Sequence, residues 1–350
     1  MKINKEILVR ALNIVEKGIG KDTFVVAEII NNILILSASD GEIRIKTKIE
    51  IEDISNPSKF LMDNTSIQVL KSMPDGTLSI DLKDNKMLIK CGRTRRTITL
   101  PDIEYKIEAQ DEKLLLEFGL SNEDISLINN VTYCKATDDI RPILQGVYFD
   151  LDNGKVVALD GFRVEVQSIS NLIQSKDPEL NFNFVLKAEK LPLLKALSDT
   201  IKVSNKAKWV EFSDSTTSIS IRKLEGAYVP YGNLISKGEK KLRVSPSEML
   251  ASLQRIRIIQ GDIITKIAVN QNKVLLQAAT QFAQAEEQIE NVVNHIEEDF
   301  LIAFNTNYLI ELMKAHQKED YIDLYFSSNT LPMIAETSSS VSLVLPIRIA

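Results

Sequence analysis

A chain of 350 residues with 44% hydrophobic and 26% charged side chains carries enough apolar material for two or three globular cores and too much for a disordered polymer. Its net charge of −6 excludes holding nucleic acid by bulk attraction alone, so any basic surface must be local. No run of about 18 apolar residues occurs, and Met1 to Val15 is amphipathic rather than signal-like, so the chain is expected in the cytoplasm, clear of the membrane. Two cysteines, Cys91 and Cys134, lack CxxC spacing and are expected to be reduced structural thiols.

The pattern opens with a short strand, Met1 to Ile3, and a helix capped near Asn4 with Ile7, Leu8, Ala11 and Ile14 on one face. Strands Phe24 to Ile30 and Ile33 to Ala38 flank Asn31-Asn32, a pair that tolerates the positive φ of a tight hairpin; Asp40-Gly41 then leads into Ile43 to Ile51. The stretch Phe60 to Met73 reads as a strand, a polar cap at Asn64/Thr65 and a helix with Ile67 and Leu70 inward. Alternation of Leu78, Ile80 and Leu82, the turn Asp84-Asn85, and strands Met87 to Lys90 and Thr97 to Leu100 complete a first unit.

The same order then recurs. Leu114 to Phe118 replays the first strand, Ser121 caps a helix with Ile125, Ile128 and Val131, and a hairpin forms around Asn153-Gly154. Asp160-Gly161 stands where Asp40-Gly41 stood. Phe184 to Leu197 repeats the strand, cap (Ala188/Glu189) and helix, and strands through Val210, Phe212, Ile219 and Ile221 follow. In the third pass, Leu242 to Val244, a helix capped at Ser245/Ser247 and Val274 to Gln277 precede an acidic connector, Glu286 to Asp299, with Ala279-Thr280 in place of the Asp-Gly turn. Ile302 to Ala315 is the third strand, cap (Thr306/Asn307) and helix; the chain closes on Ile322 to Phe326, Met333 to Ala335 and a final strand, Val341 to Ile349.

Ile67 and Leu191 are 124 positions apart and Leu191 and Leu309 are 118, so a unit of about 120 residues occurs three times. The expected fold class is α+β: three tandem domains, 1–112, 113–239 and 240–350, each with helices on one face of antiparallel strands. Such a chain carries open sheet edges at both ends, which invite pairing.

Enzyme signatures fail on inspection. Gly18 to Thr23 resembles a phosphate loop only in part, since Val15 occupies the first glycine's place and no strand precedes it. Asp150, Asp152 and Asn153 alternate along a strand and lack the closing glutamate of a calcium loop. The two histidines, His295 and His316, have no partners at metal-ligand spacing, so no metal, cofactor or catalytic triad is expected.

Several runs resemble one family. Arg141 to Val147, Val157 to Val164, Glu225 to Tyr228, Phe304 to Leu309 and Leu343 to Ile349 are similar, in order and spacing, to motifs of the bacterial DNA polymerase III beta subunits, the sliding clamps. The resemblance implies a head-to-tail homodimer closing a ring of six domains around double-stranded DNA without reading its sequence. It further implies a non-catalytic processivity factor that recruits the replicative polymerase, the clamp loader and other proteins through short peptides. The peptide groove would be walled by Leu144, Leu159, Gly161, Phe162, Arg163, Val164, Leu343, Val344, Leu345, Pro346, Ile347 and Arg348. Phe162 replaces a histidine common in the family, and Ser236 a common proline.

By the same resemblance the helices face DNA, with Arg10, Lys21, Lys187, Lys190, Lys195, Lys202, Arg255 and Lys314 as phosphate contacts. The bland reading of any one of these is a solvated side chain. Arg93, Arg96 and Ile98 are placed on one side of the dimer contact and Ile258 and Ile259 on the other. The rival reading is a clamp-like adaptor that binds peptides without encircling DNA.

Overall fold

The computed structural model describes residues 1–52, 57–105, 107, 112–138, 140–172, 182–198, 200–259, 264–270 and 273–348, the side chain of residue 259 excepted. The first pass of elements is β1 (Lys2–Asn4), α1 (Lys5–Val15), β2 (Val25–Ile30), β3 (Ile33–Ser39), β4 (Ile43–Glu50), β5 (Ser58–Met62), α2 (Asn64–Lys71), β6 (Thr77–Lys83), β7 (Lys86–Cys91) and β8 (Thr94–Thr99). The second is β9 (Leu114–Leu120), α3 (Asn122–Asn130), β10 (Gly146–Asp150), β11 (Lys155–Leu159), β12 (Arg163–Ser168), β13 (Phe184–Lys187), a 3-10 helix (Ala188–Ala196), β14 (Ile201–Lys206), β15 (Trp209–Ser213) and β16 (Thr217–Arg222). The third is β17 (Lys240–Val244), α4 (Pro246–Ile259), β18 (Ile264–Asn270), β19 (Lys273–Ala279), β20 (Gln284–Gln288), β21 (Val293–Asn294), β22 (Phe300–Asn305), α5 (Thr306–Ala315), β23 (Ile322–Phe326), β24 (Met333–Glu336) and β25 (Ser340–Val344).

Local chemistry explains the boundaries. The Asn4 side chain accepts the amides of Glu6 and Ile7, and Ser121 and Asp124 cap each other's amides reciprocally at the start of α3. Asn31-Asn32 and Asp84-Asn85 sit at positive φ, as tight hairpins require. The caps of α2 and α5 are Asp63 and Asn305, each one residue or more before the expected polar pairs, because it is the extended residue whose side chain reaches back to the first free amides. The middle copy winds as 3-10 rather than α helix. Pro192 lies inside it and supplies no amide to an i−4 carbonyl.

Two compact units form, one from Met1–Ile125 and Lys190–Lys223, the other from Ser126–Glu189 and Leu224–Ala350. In the first, a sheet β5-β2-β3-β4-β16-β15-β14-β9 accompanies a smaller sheet β1-β6-β7-β8; in the second, β13-β10-β11-β12-β25-β24-β23-β17-β21 accompanies β20-β19-β18-β22. Every pairing is antiparallel, and the fold is α+β. Strands β12, β14 and β18 went unread in the sequence, and the supposed acidic connector contains β20 and β21. The last strand stops at Val344, since the Ile347 amide turns away to the Ala303 carbonyl of β22 at 2.7 Å; Ile349 lies outside the described residues.

The three passes share one turn. Asp40 Oδ1 accepts the amides of Glu42 and Ile43, Asp160 Oδ1 those of Phe162 and Arg163, and the Thr280 hydroxyl those of Phe282 and Ala283. A threonine thus does the aspartate's work in the third pass, which is why the Asp-Gly pattern vanished from the sequence while the turn survived.

Candidate peptide groove and the two seams

Each large sheet contains a seam where strands from different passes meet. In the first unit β4 pairs with β16, Ile43 facing Ile221, Ile45 facing Ile219 and Thr47 facing Thr217. In the second, β12 pairs with β25, Arg163 facing Val344, Glu165 facing Ser342 and Gln167 facing Ser340. Both ladders end in the same flanking bonds. Arg222 N donates to Glu42 O at 2.9 Å, as Leu345 N does to Phe162 O; Lys48 N donates to Thr216 O at 2.9 Å, and Ser168 N to Ser339 O at 2.8 Å.

Strand pleat sorts the expected groove residues onto two faces. On one face Leu144, Leu159, Val164 and Leu343 are buried in a cluster with Val157, Val166, Ile334 and Tyr231. Beside it Phe162, 57% exposed, and Leu345, 37% exposed, offer apolar surface held in place by their shared backbone bond. Gly161, at φ +91°, turns the chain so that Phe162 projects. Pro346 and Ile347 are half-buried and Arg348 is exposed. Arg163 and Val344 go to the opposite face: Val344 joins the core of α4 and α5, and Arg163 is spent on Asp160, Glu311, the Tyr133 carbonyl and the Tyr308 ring. Burial opposes the Arg163 charge, but the bonds to Glu311 and Asp160 outweigh it and hold the guanidinium firmly protonated.

Sequence reasoning missed Tyr231, whose hydroxyl donates to Asp150 Oδ2 at 2.6 Å, and the Tyr228 ring stacked on Tyr148 at 4.9 Å. The alternation Val157/Leu159 and Val164/Val166 was the available signal for the cluster. In the first unit the corresponding face is polar. There a cavity of about 390 Å³ is lined by Ser37, Arg44, Lys46, Trp209, Glu211, Ser218 and Ser220 among others, with Arg44 4.2 Å from the Trp209 ring centre.

The expected phosphate contacts divide by partner. Arg10 pairs with Glu6, Lys187 with Glu189, Lys190 with Asp40 and Glu42, Lys202 with Glu117 and Arg255 with Glu287. Lys21, Lys195 and Lys314 have no ion pair among the described residues. Lys202 and Lys206 lie on strand β14, so the basic residues do not gather on helices alone. Of the expected dimer residues, Arg93 and Arg96 are exposed and Ile98 half-buried at the edge strand β8, Ile258 is 84% exposed, and the side chain of Ile259 lies outside the described residues.

A crystal structure of the DNA polymerase sliding clamp from Pseudomonas aeruginosa superposes on the whole chain with a TM-score of 0.91, at 18% identity, over 100% of this chain and 99% of that one. The fold is that of the bacterial beta sliding clamps. The DNA polymerase III beta chain of Streptococcus pneumoniae agrees, with a TM-score of 0.90 at 22% identity over 99% of each chain. In sequence, residues 234–348 match the C-terminal domain of the DNA polymerase III beta subunit. The beta sliding clamp of Pseudomonas aeruginosa is 22% identical over 90% of this chain and 89% of its own length, and that of Streptococcus pneumoniae 24% identical over 99% and 98%. The resemblance to the sliding clamps carried by the sequence motifs therefore stands.

Proposed function

We propose that the chain is a sliding-clamp subunit that pairs head to tail with a second copy, closes a ring around duplex DNA and tethers a replicative polymerase through the groove of the second unit. Three domains, 1–112, 113–239 and 240–350, would each contribute one copy of the repeated element order, and the protein would act without catalysis in the cytoplasm.

The observation that carries this reading is the seam and its two unused halves. Strand β8 holds the place of β16 and β25, because Arg96 pairs with Ile89 as Ile219 pairs with Phe212 and Ser342 with Ala335. Strand β20 holds the place of β4 and β12, because Glu287 pairs with Leu276 as Thr47 pairs with Leu36 and Gln167 with Val156. Both are end strands of their sheets. Transferring the register sets Ala285 against Arg96 of a second copy, Glu286 against Arg95 and Glu287 against Thr94. Small residues then face long ones and the Glu286 carboxylate meets the Arg95 guanidinium, which favours pairing over leaving two edges open. A heterologous contact of this kind, made twice, closes a ring.

After loading by an ATP-driven clamp loader, the protein should persist on closed circular DNA and run off once the circle is cut. Equal loss from both forms would overturn the ring. The adaptor reading draws on the five ion-paired basic residues among the eight expected to meet phosphate, and it predicts peptide binding with no such topological retention.

A further inference from the structure

The two seams place opposite chemistry at one position. Where the first buries Ile45 against Ile219, the second buries Glu165, 2% exposed, against Ser342. Isolating an ionised carboxylate from water costs several kcal/mol unless partners compensate it. Glu165 has them: Oε2 accepts the hydroxyls of Tyr133, at 2.7 Å, and of Ser342, while Oε1 lies 3.2 Å from Nε2 of His316, itself 5% exposed. The last contact is at ion-pair distance without hydrogen-bond alignment, so its strength comes from charge.

His316 ends α5, its amide donating to Leu312 O at 3.2 Å and its carbonyl accepting from Glu319 N at 2.9 Å. Charged and titratable groups surround the pair from every packed element. Arg163 accompanies Glu165 on β12, Asp160 precedes it, Tyr133 and Cys134 lie on the short helix Val131–Cys134, Glu311 is on α5 and Glu319 follows it. With neutral imidazole the cluster of Asp160, Glu165, Glu311 and Arg163 carries excess negative charge. A cationic imidazole reduces that excess at its most buried member.

We propose that Glu165 and His316 form a protonation-dependent clasp that ties the end of α5 to the β12–β25 seam, tight when the imidazole is cationic and weakened when it is neutral. Burial opposes the imidazolium, but the contact with Glu165 and the charges of Glu165 and Glu319 outweigh it and raise His316 above its ordinary value. Stabilisation by the clasp is therefore complete below about pH 6.5 and is lost as pH rises through the higher folded value. Its bearing on peptide capture rests on the groove reading, because the same seam carries Phe162 and Leu345; the clasp itself does not depend on it.

The test is histidine-resolved NMR on the full-length chain, beside thermal melts at several pH values. The His316 ring should titrate above the imidazole of the unfolded chain, and Glu165→Gln should bring the midpoint down. Melting temperature should fall as pH rises from about 6.5 through the His316 midpoint in the natural protein, and that fall should vanish when Glu165→Ala and His316→Leu are combined, since neither the imidazole nor its carboxylate partner remains. A His316 midpoint at or below that of the unfolded chain, or one indifferent to Glu165→Gln, overturns the clasp even if the double variant does not fold. Failure to bind any clamp-binding peptide would instead count against the groove and leave the titration standing.

Discussion

The amide of Leu345 donates to the carbonyl of Phe162 at 2.9 Å, which fixes the two exposed apolar side chains of the candidate groove's rim side by side at one end of the β12–β25 seam. Because the bond is made by backbone, either side chain can be removed without loosening the seam. Phe162→Ala and Leu345→Ala should each weaken binding of the polymerase's clamp-binding peptide by about 1.5–3 kcal/mol, roughly 10- to 150-fold, with little change in melting temperature. Fluorescence anisotropy with the labelled peptide checks this, and unchanged affinity in both variants removes these residues from the groove.

The transferred register makes a charge-swap experiment decisive. Arg95→Glu alone should bring like charges together at Glu286 and shift light-scattering mass toward monomer, with a dissociation constant raised by about tenfold or more. Adding Glu286→Arg to the same chain should restore the dimer. No recovery in the double variant would mean that β8 and β20 meet in another register or not at all.

Retention on DNA should follow the lysines that have no ion pair among the described residues. Replacing Lys21, Lys195 and Lys314 by Glu should weaken binding to duplex DNA and lower the salt slope by about 0.9 for each phosphate no longer neutralised. Replacing Lys202 and Arg255 should do less, because Glu117 and Glu287 already hold their charges. Filter binding across a salt series distinguishes the two sets.

The shared turn predicts graded stability costs. Asp40→Ala removes the acceptor of two backbone amides and the partner of the half-buried Lys190, and should cost about 1–3 kcal/mol; Thr280→Val should cost about 1 kcal/mol, since only neutral bonds are removed. Burial works to raise the Asp40 carboxyl, but the Ile43 amide and Lys190 overcome it and lower it below its ordinary value. Its contribution is accordingly present above about pH 4 and lost as pH falls through the lower folded value, and urea titrations at pH 7 and at acid pH should show the gap between natural and Asp40→Ala proteins closing.

The repeat, the hairpins at Asn31-Asn32 and Asp84-Asn85 and the α+β class were legible because they rest on period-2 and helical spacing and on residues that tolerate positive φ. The middle helix misled because an apolar spacing of three suits 3-10 as well as α winding, and Pro192 decided between them. Within the groove, the apolar floor followed from alternation, but the face taken by Arg163 depends on strand pleat within a seam whose partner lies far along the chain. The Glu165–His316 contact joins residues 151 positions apart in number and left no local trace.

That polar seam also bears on how the chain finds its own fold. Two candidate partner edges, β16 and β25, become available to the nascent strand β12, and β16 emerges from the ribosome first. Its Ile219 and Ile221 offer no hydroxyl to the carboxylate of Glu165, whereas Ser342 on β25 bonds it directly. Pairing β12 with β16 would thus forfeit one buried hydrogen bond to Glu165 that β25, more than 170 residues later in the chain, supplies, a selectivity that a wholly apolar seam would lack.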